Sequence, residues 1–130
     1  MAASLSITQI VELSGSNMDR VIANKTTVGV VPTNAVEQAP ILGTTSTSLD
    51  LGDIAAGKGF FIYMEATGGN FYVKLGATTG DPVLTDSHLY ILSGEGYCIP
   101  INPNATAMAG IRVKGSAAAA VLRYFLVGGA

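Results

Sequence analysis

Apolar and polar residues alternate with a period of two through most of this chain, which places successive side chains on opposite sides of an extended ribbon. The clearest run is 59–75. In its first half Phe60, Ile62, Met64 and Ala66 share one side, with Phe61, Tyr63 and Glu65 on the other. In its second half Phe71, Val73 and Leu75 point one way, Tyr72 and Lys74 the other. Between the halves lies Thr67-Gly68-Gly69-Asn70, whose Gly-Gly-Asn residues tolerate the positive φ of a tight turn. The pattern predicts a β-hairpin over 59–75.

The other runs are shorter. Leu5, Ile7, Val11 and Leu13 share one parity, broken by Gln9, and predict a half-buried strand closed by the Ser14–Asn17 turn cluster. Thr26 to Val31 is a second β-rich run, stopped by Pro32. From Pro32 to Gly43 periodicity fades, as in a loop or extended arm, so 1–43 reads as N-terminal strands and arm, and 44–130 as the body. There Thr45, Thr47, Leu49 and Leu51 predict a strand ending at Gly52-Asp53, and Leu89 to Leu92 a short one. After the Ser93–Gly96 turn, Tyr97, Ile99 and Ile101 form the inner side of a strand whose Pro100 cannot donate a ladder bond, which assigns it to an edge or a bulge. Ile111 and Val113 point inward, with Arg112 and Lys114 outward.

The run 117–127 could be a short helix from its alanines, but Val121-Leu-Arg-Tyr-Phe-Leu-Val127 is dense in β-formers and favours a strand. Its faces are then Leu122, Tyr124 and Leu126 against Val121, Phe125 and Val127. A strand that is apolar on both faces has one face to spare for a subunit contact. Seven to nine short strands without crossover helices predict an all-β fold, an antiparallel β-sandwich of jelly-roll type with an extended N-terminal segment.

Composition sharpens this picture. Hydrophobic residues make up 48% of the 130 and charged residues 12%, about half the usual charged share, so a chain this small leaves apolar surface to be covered by an assembly. The net charge of -2 is spread singly, without the basic stripe that draws phosphate backbones, which argues against nucleic acid as a partner. A lone cysteine, Cys98, excludes an intramolecular disulfide and a cysteine-based zinc cluster and reads as an inert strand residue. The first residues lack a signal-peptide pattern, and the longest apolar stretch, Ala117 to Val127, contains Arg123 and is too short for a bilayer. Synthesis in a cytoplasm and no membrane partner are expected. Asn24 and Asn104 sit in glycosylation-acceptor triplets and read as loop residues.

Chemistry-bearing candidates are few. Gly52-Asp-Ile-Ala-Ala-Gly57-Lys58 has Walker A spacing, but Gly59 stands where the metal-binding hydroxyl belongs, and a strand follows where the phosphate loop needs a helix. His88, with Asp86 and Ser87 beside it, lacks converging partners, because neighbours on an extended chain point apart. Asp50 with Asp53, or Asp81 with Asp86, are too dispersed for a hard-cation site. No catalytic residue, cofactor or metal is expected. The residues singled out for contact are Phe61, Tyr63, Tyr72, Val121, Phe125 and Val127. Of these, Phe61, Tyr63 and Tyr72 would cluster if the 59–75 hairpin forms, as a protein contact or a sugar-stacking platform.

Several segments resemble small structural proteins of tailed bacteriophages. These are the Ser/Thr-rich strand ending in Leu49-Asp50-Leu51-Gly52, the apolar Phe60 to Met64, Asn70-Phe71-Tyr72-Val73, the Gly94-Glu95-Gly96 turn before the strand with Pro100, and Val121 to Val127. The resemblance covers about two thirds of the chain. It implies a non-enzymatic virion component made in a bacterial host cytoplasm: a capsid cement or decoration protein, a homotrimer binding the major capsid protein. A tail, fibre or head-tail component of the same virion is the alternative, and a carbohydrate-binding module a second one from another class.

Overall fold

In a computed structural model, residues 3–15, 17, 19–27, 32–54, 58–75, 89–101 and 110–129 are described. Among them there is no helix. The strands are β1 (Ser6–Leu13), β2 (Arg20–Thr27), β3 (Asn34–Gln38), β4 (Thr47–Ser48), β5 (Gly59–Thr67), β6 (Phe71–Leu75), β7 (Leu89–Ile91), β8 (Gly96–Pro100), β9 (Ile111–Gly115) and β10 (Val121–Gly128). The chain divides into two compact units, Met1–Pro32 and Thr33–Ala130.

The larger unit holds two four-stranded sheets, ordered β3-β10-β5-β8 and β4-β9-β6-β7. Every pairing is antiparallel. The partners nest about the middle of the chain: β6 with β7, β5 with β8, β4 with β9 and β3 with β10. That nesting, folded over into two layers, is the jelly roll. Ile62, Met64 and Ala66 of β5 with Leu122, Tyr124 and Leu126 of β10 form one wall of the core. Phe71 and Val73 of β6, Ile91 of β7, and Ile111 and Val113 of β9 form the other. Fully burying each aliphatic side chain contributes about 1.5–3 kcal/mol. Buried polar groups would weaken such a core, and among the described residues no buried side-chain nitrogen or oxygen lacks a partner.

The predicted 59–75 hairpin does not form. β5 pairs with β10 and β8 in one sheet, and β6 with β9 and β7 in the other, so the link 67–70 crosses between layers. Alternation cannot separate the two arrangements, because both bury the same parity. The link is held instead by a long-range contact. A Cβ on Gly69 would lie 2.9 Å from the Ala120 Cβ, and one on Gly68, at φ +70, would lie 2.8 Å from the Ala119 carbonyl oxygen. The turn at 117–120, closed by Ala120 N–H to the Ala117 carbonyl at 3.1 Å, thus nests against the crossing. Ser116 N–H donates to the Asn70 carbonyl, and Asn70 N–H to Ser116 Oγ, each at 2.9 Å.

Other expectations shift as well. The stretch 32–43, read as loop or arm, contains β3, which pairs with β10 over Asn34–Gln38, and Ile41 bridges to Val121. β3 therefore belongs to the sandwich and not to an arm. The strand expected over 45–51 shrinks to Thr47–Ser48, because the Asp50 carboxylate accepts the Gly52 N–H at 2.9 Å and turns the chain. The last run is a strand, starting at Val121 after the turn. β8, with Pro100, is an edge strand as expected.

The smaller unit is the antiparallel pair β1–β2, with Val11 opposite Ile22 and Leu13 opposite Arg20. β2 begins six residues before the predicted run, and 28–31 lies outside the described residues. The half-burial expected of β1 is absent: Ile7 is its one partly buried position.

Candidate interaction surfaces

Five of the six residues singled out for contact lie on one surface, the outer face of β3-β10-β5-β8. Registry sets Phe61 beside Val127, Tyr63 beside Phe125, and Thr67 beside Val121. These positions have the parity opposite to Ile62, Met64 and Leu126, so they face away from the core. The surface is not uniformly open. Phe61 and Val127 are 5% and 3% exposed although they stand outside the core cluster, while Tyr63, Phe125 and Val121 are half-buried. Toward its other end the face becomes polar. Tyr63 OH donates to Glu65 Oε2 at 2.8 Å, which together with burial raises the tyrosine pKa. Arg123 pairs with Glu37 at 3.0 Å, and that bond raises the guanidinium pKa.

Tyr72, the sixth residue, is on the other sheet. It stacks on Tyr90 with ring centroids 4.9 Å apart, a pairing set by the β6–β7 register. Phe61, Tyr63 and Tyr72 therefore form no common platform. That expectation depended on a hairpin which the crossing between layers removes.

A second surface was not foreseen. The edge strands β7 and β8 of the two sheets are joined by the 92–95 turn, and between them opens an apolar cleft of about 290 Å³ lined by Leu89, Tyr90, Ile91, Tyr97, Cys98 and Ile99. Tyr90, Leu92 and Tyr97 are exposed at its rim. The turn closing one end is pinned to both layers: Gly94 N–H donates to the Ala66 carbonyl at 2.8 Å, and Ser93 N–H to Asn70 Oδ1 at 2.9 Å. Asn70 Nδ2 also donates to Tyr90 OH at 2.8 Å, which fixes one rim ring. Glu95 bonds the Leu92 N–H through Oε1 at 3.1 Å, and its carboxylate raises the pKa of Tyr97 at the other rim. Alternation had put Tyr97, Ile99 and Ile101 on the inner side; Ile101 is buried and Ile99 packs against the core, while Tyr97 stands exposed at the rim. Its sequence signal was Pro100, which marks an edge but not which edge faces it.

The third surface is the β1–β2 pair. Ile10, Val11, Leu13, Val21 and Ile22 are all 53–64% exposed. The register divides them, with Val11, Leu13 and Ile22 on one face and Ile10 and Val21 on the other. An isolated two-stranded ribbon is at best marginally stable in water, and this one leaves its largest apolar side chains uncovered on both sides.

Residues proposed or weighed for chemistry give little further. His88, Asp81, Asp86 and Ser87 lie outside the described residues, as do Asn104 and 55–57 of the Walker-like segment. Lys58 leads directly into β5. The Asp50 carboxylate is engaged by the Gly52 N–H and by Gln38 Nε2 at 3.1 Å, and these two bonds, in that order, lower its pKa. Among the described residues no group of three or more His, Cys, Asp or Glu side chains could hold a metal ion, and no helix is long and apolar enough to cross a membrane. Cys98 is exposed on β8. No family model, curated protein or solved structure matches the chain.

Proposed function

We propose that this protein is a non-enzymatic virion structural protein, a cement or decoration protein that self-associates, as a homotrimer, and binds the major capsid protein on the outside of a phage capsid. The observation that carries the reading is the β1–β2 ribbon, which exposes five large aliphatic residues over two faces. Such a ribbon gains its stability from what it touches in an assembly. The jelly-roll body is compatible with the reading without selecting it, because that fold serves capsid and lectin domains alike. Against the carbohydrate module stands the separation of Phe61, Tyr63 and Tyr72. A cement protein works by linkage: a ligand that binds only the assembled shell lowers the free energy of that shell relative to its dispersed subunits.

The test is binding of the purified protein to expanded capsids that lack it, followed by sedimentation with the shell and by electron microscopy of the decorated particle. Saturable binding at symmetry-related positions, with greater resistance of the shell to heat, is the expected result. A trimer that leaves the shell untouched would shift the assignment to a tail, fibre or head-tail position. A monomer with affinity for glycans would overturn it.

A further inference from the structure

We propose that the β1–β2 ribbon of one copy seats its Val11–Leu13–Ile22 face in the β7–β8 cleft of a second copy, so that the oligomer is held by a head-to-tail exchange. The proposal rests on the self-association part of the reading above and is independent of the capsid.

Each surface is left open by the rest of its own unit. Val11, Leu13 and Ile22 of the ribbon are each more than half exposed, as are, nearly so, the rim residues Tyr90, Leu92 and Tyr97 of the cleft. Their chemistry matches: a ridge of branched aliphatic side chains, and an open cleft of about 290 Å³ walled by aliphatic and aromatic side chains. Aromatic rims around an apolar cleft are typical of the anchoring centres of protein interfaces.

Charge selects the face. Arg20 stands opposite Leu13 at the end of the ribbon, on the same side as Val11 and Ile22. Glu95 lies in the turn that closes one end of the cleft. Seating the Val11 face brings a cation to that carboxylate. The opposite face sets Glu12 at that same end, opposite Val21, which would bring two carboxylates together, and its one cation, Lys25, stands at the far end opposite Thr8, whereas the Val11 face carries Arg20 and no acid. A ribbon-to-cleft contact joins unlike surfaces, so it is heterologous, and it ends in a finite particle only if the rotation between copies closes into a ring.

The exposed Cys98 in the cleft wall supplies a reporter. A disulfide needs Cα atoms within about 7 Å, so it reads proximity directly. Val11→Cys and Ile22→Cys variants of the full chain, oxidised with copper phenanthroline at low protein concentration, are expected to give covalent multiples of the chain on a non-reducing gel. The neighbouring opposite-face variant Ala23→Cys is expected to give at least fivefold less, and Cys98→Ser is expected to abolish the ladder in each. Light scattering of the unmodified protein is expected to show one discrete multiple of 13.3 kDa, falling to the single-chain mass in Ile22→Asp with the strand circular dichroism of the body retained.

A discrete oligomer without face-selective cross-linking would overturn the exchange and leave self-association standing. A single-chain mass would overturn both, as would a ribbon that engages only when a capsid is present. A cross-link confined within one chain would place the ribbon in its own cleft and overturn the exchange. Exchange in solution without capsid binding would keep this inference and remove the cement reading.

Discussion

Among the described residues Tyr124 is the one large polar-tipped side chain in the middle of the core, and its replacement separates packing from hydrogen bonding. It is 1% exposed, and its hydroxyl donates to the Asp50 carbonyl at 2.7 Å, tying β10 to the chain beyond β4. Tyr124→Phe keeps the ring and removes the bond. A net intramolecular hydrogen bond is worth about 0.5–1.5 kcal/mol, so the expected loss near pH 7 is about 1 kcal/mol. Tyr124→Ala adds a cavity and should cost about 3–5 kcal/mol.

The pH dependence is the sharper arm. Burial first, and then the Asp50 carboxylate, push the Tyr124 hydroxyl from 10.0 up to about 12, against a smaller opposing effect of the hydrogen bond. The folded protein therefore holds the phenolic proton more tightly than the unfolded chain does. The resulting stability is fully present below pH 10 and is lost as pH rises toward 12, with a limiting slope of about 1.4 kcal/mol per pH unit for one proton. The Phe variant lacks this titration, and the other tyrosines contribute equally to both proteins. Urea unfolding followed by circular dichroism at pH 7, 9, 10.5 and 11.5 should show the advantage of the wild type shrinking and then reversing. A gap that stays constant with pH, or a Phe variant as stable as wild type at pH 7, would refute the reasoning.

Three further outcomes are expected. Gly68→Ala should cost about 1–3 kcal/mol in thermal unfolding, because it adds strain at positive φ to a clash with the Ala119 carbonyl, whereas Gly94→Ala, at φ +88 with open space around it, bears the strain alone and should cost less; equal costs would contradict the nesting of the 117–120 turn. Asp50 holds its carboxylate below the usual 3.8 through the Gly52 and Gln38 bonds, so its contribution is present above that value and lost as pH falls through the lowered one; Asp50→Asn, which keeps an acceptor but cannot titrate, should flatten the acid profile below 3.8, and superimposable profiles would argue against it. The Arg123–Glu37 pair is more than half exposed on both sides, so a double-mutant cycle should return a coupling close to nil that fades further in high salt.

How far the candidate surfaces could be read from sequence follows from what alternation records. It grouped Phe61, Tyr63, Val121, Phe125 and Val127 on the side away from the core cluster, because β5 and β10 pair in unbroken register from Val121–Thr67 to Val127–Phe61, before the shift at Gly128. It misplaced Tyr72, since parity fixes a side of a ribbon but not the sheet to which the ribbon belongs. It could not find the β7–β8 cleft, because these strands, although joined by the 92–95 turn, belong to different sheets, which parity does not record, and the turn is pinned by Asn70, distant in the chain from Ser93 and Tyr90.

What the amino-acid order determined by itself is local: which residues are extended, which parity is buried, and that Pro100 must lie at an edge. These follow from steric preference and from the period of two, both of which act between near neighbours. The tertiary structure decided the pairing. Gly68 and Gly69 permit a hairpin as readily as a crossing, and the crossing holds because the alanine turn at 117–120 fits against glycines that have no Cβ to exclude it. It likewise left the β1–β2 ribbon with apolar side chains on both faces, since burial belongs to what surrounds a strand and not to the strand.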